Sequence, residues 1–187
     1  MQAGDYQIEI ANSQEFLEID EAFLRDVVSR TLAEEHVARA ELSLAIVGDE
    51  AIRQLNRGYL DHDEPTDVLS FLLGVGQVSR RPRAAPRGAG KFLEGEIVVS
   101  AETAVRRAAE FSWSPGEELV LYMVHGLLHL AGYDDLTAAE KRLMRRRERA
   151  ILALWGLAPR YRRRQPPGSR RRDGRAVAAG GGSGASP

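Results

Sequence analysis

Apolar positions follow two different periods along the chain, and each change of period marks the boundary of a predicted element. Short alternating or continuous apolar stretches are typical of β-strands, and they occur at residues 6–10, 41–47, 67–73 and 96–99. Apolar residues three and four positions apart are typical of helices, and they occur at residues 20–35, 49–59, 100–110, 115–132 and 137–155. The order βαβαββααα predicts a single α+β domain in which a mixed sheet of about four strands packs against about five helices.

Composition changes twice along the chain. Residues 74–91 contain repeated Gly and Pro without apolar periodicity, which predicts a long surface loop. After Pro159 the sequence turns to Arg clusters, Pro-Pro and Ala-Gly-Ser, a composition that cannot form a core. We therefore expect a folded domain at residues 1–159 and a disordered, Arg-rich tail at residues 160–187.

The net charge of −1 conceals opposite charges in these two parts. Residues 1–159 carry 18 basic and 26 acidic side chains, a net charge of −8, whereas residues 160–187 carry 8 Arg against Asp173, a net charge of +7. The N-terminus lacks a basic stretch followed by an apolar core, and no apolar run is long enough to span a bilayer. The chain also has no cysteine, so we expect a soluble, cytoplasmic protein without membrane contact.

The most apolar predicted helix also carries two of the four histidines. It begins at a capping box, Ser114 to Glu117, with Pro115 at the first helical position. Apolar side chains follow on almost every face, so the helix should be buried beneath the sheet. His125 and His129 need a reason for lying in such a helix, and shared metal binding supplies one.

The spacing of the two histidines places both imidazoles on one face, because residues four apart are neighbours on a helix. Gly132 suits the left-handed turn that ends a helix, so the chain can return Asp134 or Asp135 toward the same point. We take Asp135 as the third ligand, because capping or solvation is the simpler role for Asp134. Two imidazoles and one carboxylate leave an open position, which is typical of a catalytic zinc site. Without a metal, both histidines would be ordinary core or surface residues.

The same spacing occurs in the metalloprotease motif HExxHxxGxxH, with the last His exchanged for Asp135. Gly126 stands where that motif carries the Glu that acts as general base. The pattern therefore favours a metal site but argues against a peptidase. A closed zinc site with thiolate ligands is excluded, because the chain has no cysteine.

Three sequence blocks resemble the YbeY-type endoribonucleases, the bacterial rRNA maturation factors. The segment HGLLHLAGYDD at residues 125–135 is similar to the HGxLHLxGYDH signature of that family. A second block, Leu55-Asn56 with Tyr59 and then DEPTDVLSF at residues 63–71, is similar to its other signature. A weaker block, GEIVVS at residues 95–100, lies between them, and the resemblance extends from about residue 5 to about residue 157.

This resemblance implies a zincin-like fold and a single-strand-specific, zinc-dependent endoribonuclease. It implies one Zn²⁺ per chain on His125, His129 and Asp135, with rRNA of the small ribosomal subunit as substrate and partner. The implied roles are 3′ end maturation of that rRNA and ribosome quality control. Two alternatives remain open: a non-catalytic, ribosome-associated assembly factor, and a metal-dependent, metalloprotease-like hydrolase of another substrate.

The chain departs from the family pattern at two positions. Asp135 replaces a His ligand, and an oxygen ligand can do so without changing the number of ligands. Leu60 replaces an Arg thought to serve catalysis or substrate binding, where a guanidinium would stabilise charge on a phosphate. His62 is a weak candidate for catalysis in its place, and Arg57 is a candidate for RNA contact. The tail offers further candidates for phosphate contacts, although a purely solubilising tail is the alternative; they are Arg162, Arg163 and Arg164.

Overall fold

Four strands of the computed structural model, which describes residues 4–111 and 113–161, form one mixed sheet. They are β1 (Asp5–Asn12), β2 (Arg39–Val47), β3 (Val68–Gln77) and β4 (Lys91–Ser100). Their order in the sheet is β1-β2-β4-β3. The β1–β2 and β2–β4 pairs are parallel, whereas β3 runs antiparallel to β4 and forms one edge of the sheet.

Five α-helices within the described residues pack with this sheet. They are α1 (Glu21–Glu34), α2 (Asp49–Leu60), α3 (Ala101–Phe111), α4 (Pro115–Ala131) and α5 (Ala138–Leu152), and a 3₁₀ turn (Ala153–Trp155) follows α5. The element order βαβαββααα and the α+β class with a mixed sheet are thereby confirmed. Helix α4 holds the central place, because it contacts β3, β4 and the helices α1, α3 and α5.

The centre of the core is helix α4, which is buried along nearly its whole length. Ser114 caps it: the Ser114 hydroxyl accepts from the backbone of Glu117, and the Glu117 carboxylate accepts from the backbone of Ser114. Gly126 faces the sheet, and a Cβ there would lie 3.1 Å from Ile97 and 3.2 Å from Val68. A side chain at the position where a metalloprotease carries its catalytic Glu would therefore have to displace Ile97 and Val68 by a few tenths of an ångström in this chain.

The prediction of a long loop at residues 74–91 was wrong at both ends. Strand β3 continues to Gln77, and β4 begins at Lys91, because these segments pair with each other from Gly74↔Glu94 to Gln77↔Lys91. The register shifts between Leu72 and Gly74, and such an irregularity breaks the two-residue alternation from which a strand is predicted. The connecting loop is therefore confined to residues 78–90.

The predicted boundary between the domain at 1–159 and the tail at 160–187 stays a prediction. The described residues end at Tyr161, so the tail arginines Arg162, Arg163 and Arg164 lie outside them. Within the described part of the chain, no helix combines the length and the apolar character needed to cross a bilayer.

Candidate metal centre

The C-terminal end of α4 and the turn that follows it bring the three predicted ligands together. His125 and His129 occupy successive turns of the helix, and their Nε2 atoms are 3.0 Å apart. Gly132 ends the helix with φ of 103°, a left-handed conformation that glycine adopts without strain. The chain then reverses, which places Asp135 Oδ1 3.9 Å from His129 Nε2. One potential ligand atom from each of the three residues lies within 4.8 Å of the others.

Asp134, the competing candidate, is used by the turn itself. Its Oδ1 accepts hydrogen bonds from the backbone N–H groups of Asp135, at 2.7 Å, and of Leu136, at 3.2 Å. This local arrangement is the capping role that short acidic side chains commonly take in turns. The two neighbouring aspartates therefore have different roles. Asp134 stabilises the turn, and Asp135 lies close to the histidines.

Two cations from the 78–90 loop and the start of β4 hold the end of α4. Lys91 Nζ donates to the carbonyl of Ala131 at 2.8 Å, and Arg87 donates to the carbonyl of Gly132 at 2.8 Å. Arg87 also pairs with Glu140 of α5 at 2.8 Å. These bonds satisfy carbonyls that a helix end leaves without intrahelical partners. Arg87 therefore positions the turn that carries Asp135.

The orientation of His125 depends on Glu148 of α5, a residue that sequence reasoning did not select. His125 Nδ1 lies 2.7 Å from Glu148 Oε1, and the Tyr161 hydroxyl donates to Glu148 Oε2 at 2.6 Å. Glu148 is only 3% exposed. A carboxylate on Nδ1 keeps the proton there and leaves the Nε2 lone pair free for a metal. The sequence could have indicated Glu148, because it lies four residues after the buried Met144 and therefore on the inner face of α5.

The neighbouring charges shift the pKa values of the three residues in different directions. Burial alone would lower the pKa of His125, but the hydrogen bond and charge of Glu148 outweigh it and raise that pKa. Burial, together with the charge of His125, lowers the pKa of His129. Burial opposes ionisation of Asp135, yet Lys141, at 3.2 Å, and the two histidines lower its pKa. Two nitrogen donors and an ionised carboxylate form a donor set that fits a divalent metal ion.

A cavity of about 370 Å³ opens beside His125 and Asp135. Its walls come from β3, α3, α4, α5 and the segment after the 3₁₀ turn, and they combine apolar side chains with charged ones. The basic side chains on these walls are Arg107, Lys141, Arg145 and Arg160. A polyanion at the metal centre would thus meet a partly cationic wall.

The other predicted site residues lie elsewhere on the described surface. His62 is exposed in the turn after α2, and Arg57 is exposed on α2, 3.9 Å from Asp63. Neither residue lines the cavity beside His125. The suggestion that they replace the family Arg at position 60 therefore stays a prediction without geometric support.

Replacing Glu148 with Gln should weaken metal binding by about 10- to 100-fold, because the neutral amide stabilises the Nδ1 proton of His125 less than a carboxylate does. The measurement is a competition titration of metal-free protein against a chelator of known affinity. Tyr161→Phe, which removes only the hydrogen bond to Glu148 Oε2, is the matched control and should have a smaller effect in the same direction. Unchanged metal affinity in a correctly folded Glu148→Gln protein would show that Glu148 does not orient His125.

Comparison with known proteins gives one consistent result. A family model described as Endoribonuclease YbeY matches residues 9–156. A protein named Endoribonuclease YbeY from Moorella thermoacetica is 47% identical over 135 residues, covering 72% of this chain and 85% of that protein. One of the same name from Salinibacter ruber is 41% identical over 131 residues, covering 70% and 80% of the two chains.

A solved structure agrees at the level of the fold. The solution structure of TM1509 from Thermotoga maritima matches with a TM-score of 0.50 at 22% identity and covers 80% of this chain and 91% of its own. A mixed sheet with an antiparallel edge strand above a buried histidine-bearing helix also agrees with the expected zincin-like class.

Proposed function

The chain belongs to the YbeY endoribonuclease family, and from this membership we propose that it is a zinc-dependent enzyme that cuts single-stranded rRNA. As a member of this family, it is an endoribonuclease with a role in rRNA processing. The observation that supports the metal-dependent chemistry is the convergence of His125, His129 and Asp135 within 4.8 Å. Zinc is proposed because two imidazoles and one carboxylate match its preferred donors and leave a position open.

The three converging residues would hold one ion per chain, which when bound would supply Lewis acidity for phosphodiester cleavage. Glu148 keeps the Nε2 of His125 directed at this point, and Asp134 keeps the turn in the shape that presents Asp135. Arg107 and Arg145 line the adjoining cavity, where their charges would attract an RNA phosphate. Among the arginines that line this cavity, these two are candidates for the role that Leu60 cannot perform.

We further propose that the substrate lies in the small ribosomal subunit, with 3′ end maturation and quality control in the cytoplasm as the cellular roles. The Arg-rich residues 160–187, with a charge of +7, support an interaction with rRNA. Neutralising phosphates releases counterions, so affinity for RNA should fall as salt rises. The alternative is a non-catalytic assembly factor. It is supported by Leu60, because this position carries an Arg in the family pattern and Leu has no guanidinium.

The test of this function is cleavage of a single-stranded rRNA fragment by the purified protein, with metal content measured on the same preparation. We expect about one zinc per chain, cleavage of the single strand, little cleavage of the same RNA annealed to its complement, and loss of activity on chelation that zinc restores. Bound zinc without metal-dependent cleavage would instead favour the assembly factor. Cleavage of casein without cleavage of RNA would favour a hydrolase of another substrate.

A further inference from the structure

Glu118 lines the same cavity as His125 and Asp135, but it lies away from these two candidate metal ligands. Glu118 lies on α4, seven residues before His125, so both side chains point from the same face of the helix. Seven residues correspond to roughly 10 Å along a helix axis. This separation is too long for proton transfer at a phosphate bound between His125 and Asp135, and it suits contact with the neighbouring nucleotide.

The Glu118 carboxyl group is buried without full hydrogen bonding. Glu118 is only 4% exposed, and its Oε2 has no hydrogen-bond partner among the described residues. Tyr122, one turn later, interacts electrostatically with the same carboxyl group. Arg107 lies on the cavity wall but pairs with Glu110 at 3.3 Å. Since buried polar atoms in proteins are almost always paired, an unpaired buried oxygen on a side chain that lines a cavity indicates a missing partner.

Its surroundings also favour the neutral acid. Burial raises the pKa of Glu118, and the charges of Asp67 and Glu110 raise it further, whereas Tyr122 and Arg107 oppose the shift. A carboxyl group that retains its proton to higher pH can donate a hydrogen bond as well as accept one. Such a group matches the mixed donors and acceptors along the edge of a nucleobase.

The walls around Glu118 suit a flat aromatic ligand. Val68 and Leu121 contribute apolar side chains, and the ring of Tyr161 lies on the same cavity. Arg145 approaches that ring to 4.6 Å, which limits its freedom of movement. Proteins that recognise single-stranded RNA commonly bind unstacked bases against aromatic rings and hydrogen-bond their polar edges.

We propose that the Glu118 end of the cavity is a subsite for one unpaired nucleobase, belonging to the nucleotide next to the one whose phosphate lies at the metal centre. The Glu118 carboxyl group reads the polar edge of that base, and Val68 and Leu121 contact its face. This inference rests on the proposed RNA-cleaving function. It adds a preference for certain bases at one position, which a metal site by itself does not provide.

The test compares four single-stranded RNAs that differ only in the base at one position beside the cleaved bond. For the wild type we expect kcat/KM to differ by at least about fivefold between the best and worst base. Glu118→Leu should bring the four values close together, and Glu118→Gln, which keeps the shape but changes the donors, should change their ranking. Glu15→Gln, an exposed site, is the control and should retain the wild-type preference.

Measuring RNA binding, as well as cleavage, distinguishes an error in the proposed base subsite from an error in the proposed enzymatic function. Affinities of the same four RNAs for metal-free protein should show the same preference, lost in Glu118→Leu, even if no cleavage occurs. Equal affinities for the four RNAs in the wild type, or an unchanged preference in folded Glu118 variants, would overturn the subsite. A wild type that binds with preference but cleaves none of the RNAs would overturn the proposed function alone.

Discussion

His129→Ala is expected to remove the bound metal and to lower RNA cleavage by about 1,000-fold or more. The substitution leaves one imidazole and one carboxylate, too few to hold zinc at a catalytic position. A metal supplies several kcal/mol of transition-state stabilisation, and each 1.36 kcal/mol corresponds to tenfold in rate. Metal content per chain and kcat/KM on single-stranded rRNA are the two measurements.

His36→Asn is the matched control for His129→Ala. His36 is exposed and has a positive φ of 56°, a conformation that Asn tolerates better than Ala. This variant should keep its metal and its activity. If His129→Ala retained one zinc per chain together with wild-type cleavage, the proposed metal centre would be wrong. Loss of metal without loss of cleavage would show that the metal is not needed for RNA cleavage.

Glu35→Ala is expected to destabilise the fold by about 3 kcal/mol, because it leaves a largely buried guanidinium without its closest carboxylate partner. Glu35 is 1% exposed and pairs with Arg147 of α5 at 2.5 Å. It also accepts from Tyr133, at 3.2 Å, and from the backbone of Gly88, at 3.3 Å. One carboxylate thus joins the end of α1, the 78–90 loop, α5 and the turn that leads to Asp135.

The neighbouring Glu34 provides a control of the same residue type. Its carboxylate is 43% exposed and lies 3.7 Å from Arg147, a weak surface pair. Glu34→Ala should therefore change the free energy of unfolding by less than about 0.5 kcal/mol. Urea denaturation of both variants measures the difference. Equal effects would mean that burial of Glu35 does not determine the strength of its contacts.

Much of the candidate metal centre was predictable because its determinants are local. A spacing of four residues on a helix brings two side chains together whatever the rest of the fold does. Gly132 then reverses the chain within three residues, so Asp135 returns to the histidines without any distant contact. The same reasoning assigned Asp134 to the turn, where its hydrogen bonds are indeed found.

Other features depended on partners far away in sequence. Glu148 meets His125 across 23 positions, and the inner face of α5 could be predicted without knowing which helix it would meet. The far end of β3 was missed because its irregular register hides the alternation, and only pairing with β4 stabilises it as a strand. Glu118 was only an acidic residue near a helix start in the sequence, whereas the structure buries its Oε2 without a hydrogen-bond partner among the described residues.

The sequence by itself determined the order of the elements, the buried helix and the three converging residues, because periodicity, capping and short spacings act within a few residues of chain. Tertiary structure decided the orientation of His125, the tight packing at Gly126, and the cavity that Glu118 shares with the candidate metal centre. These properties arise where separate elements meet. They depend on distances and burial that no local pattern encodes.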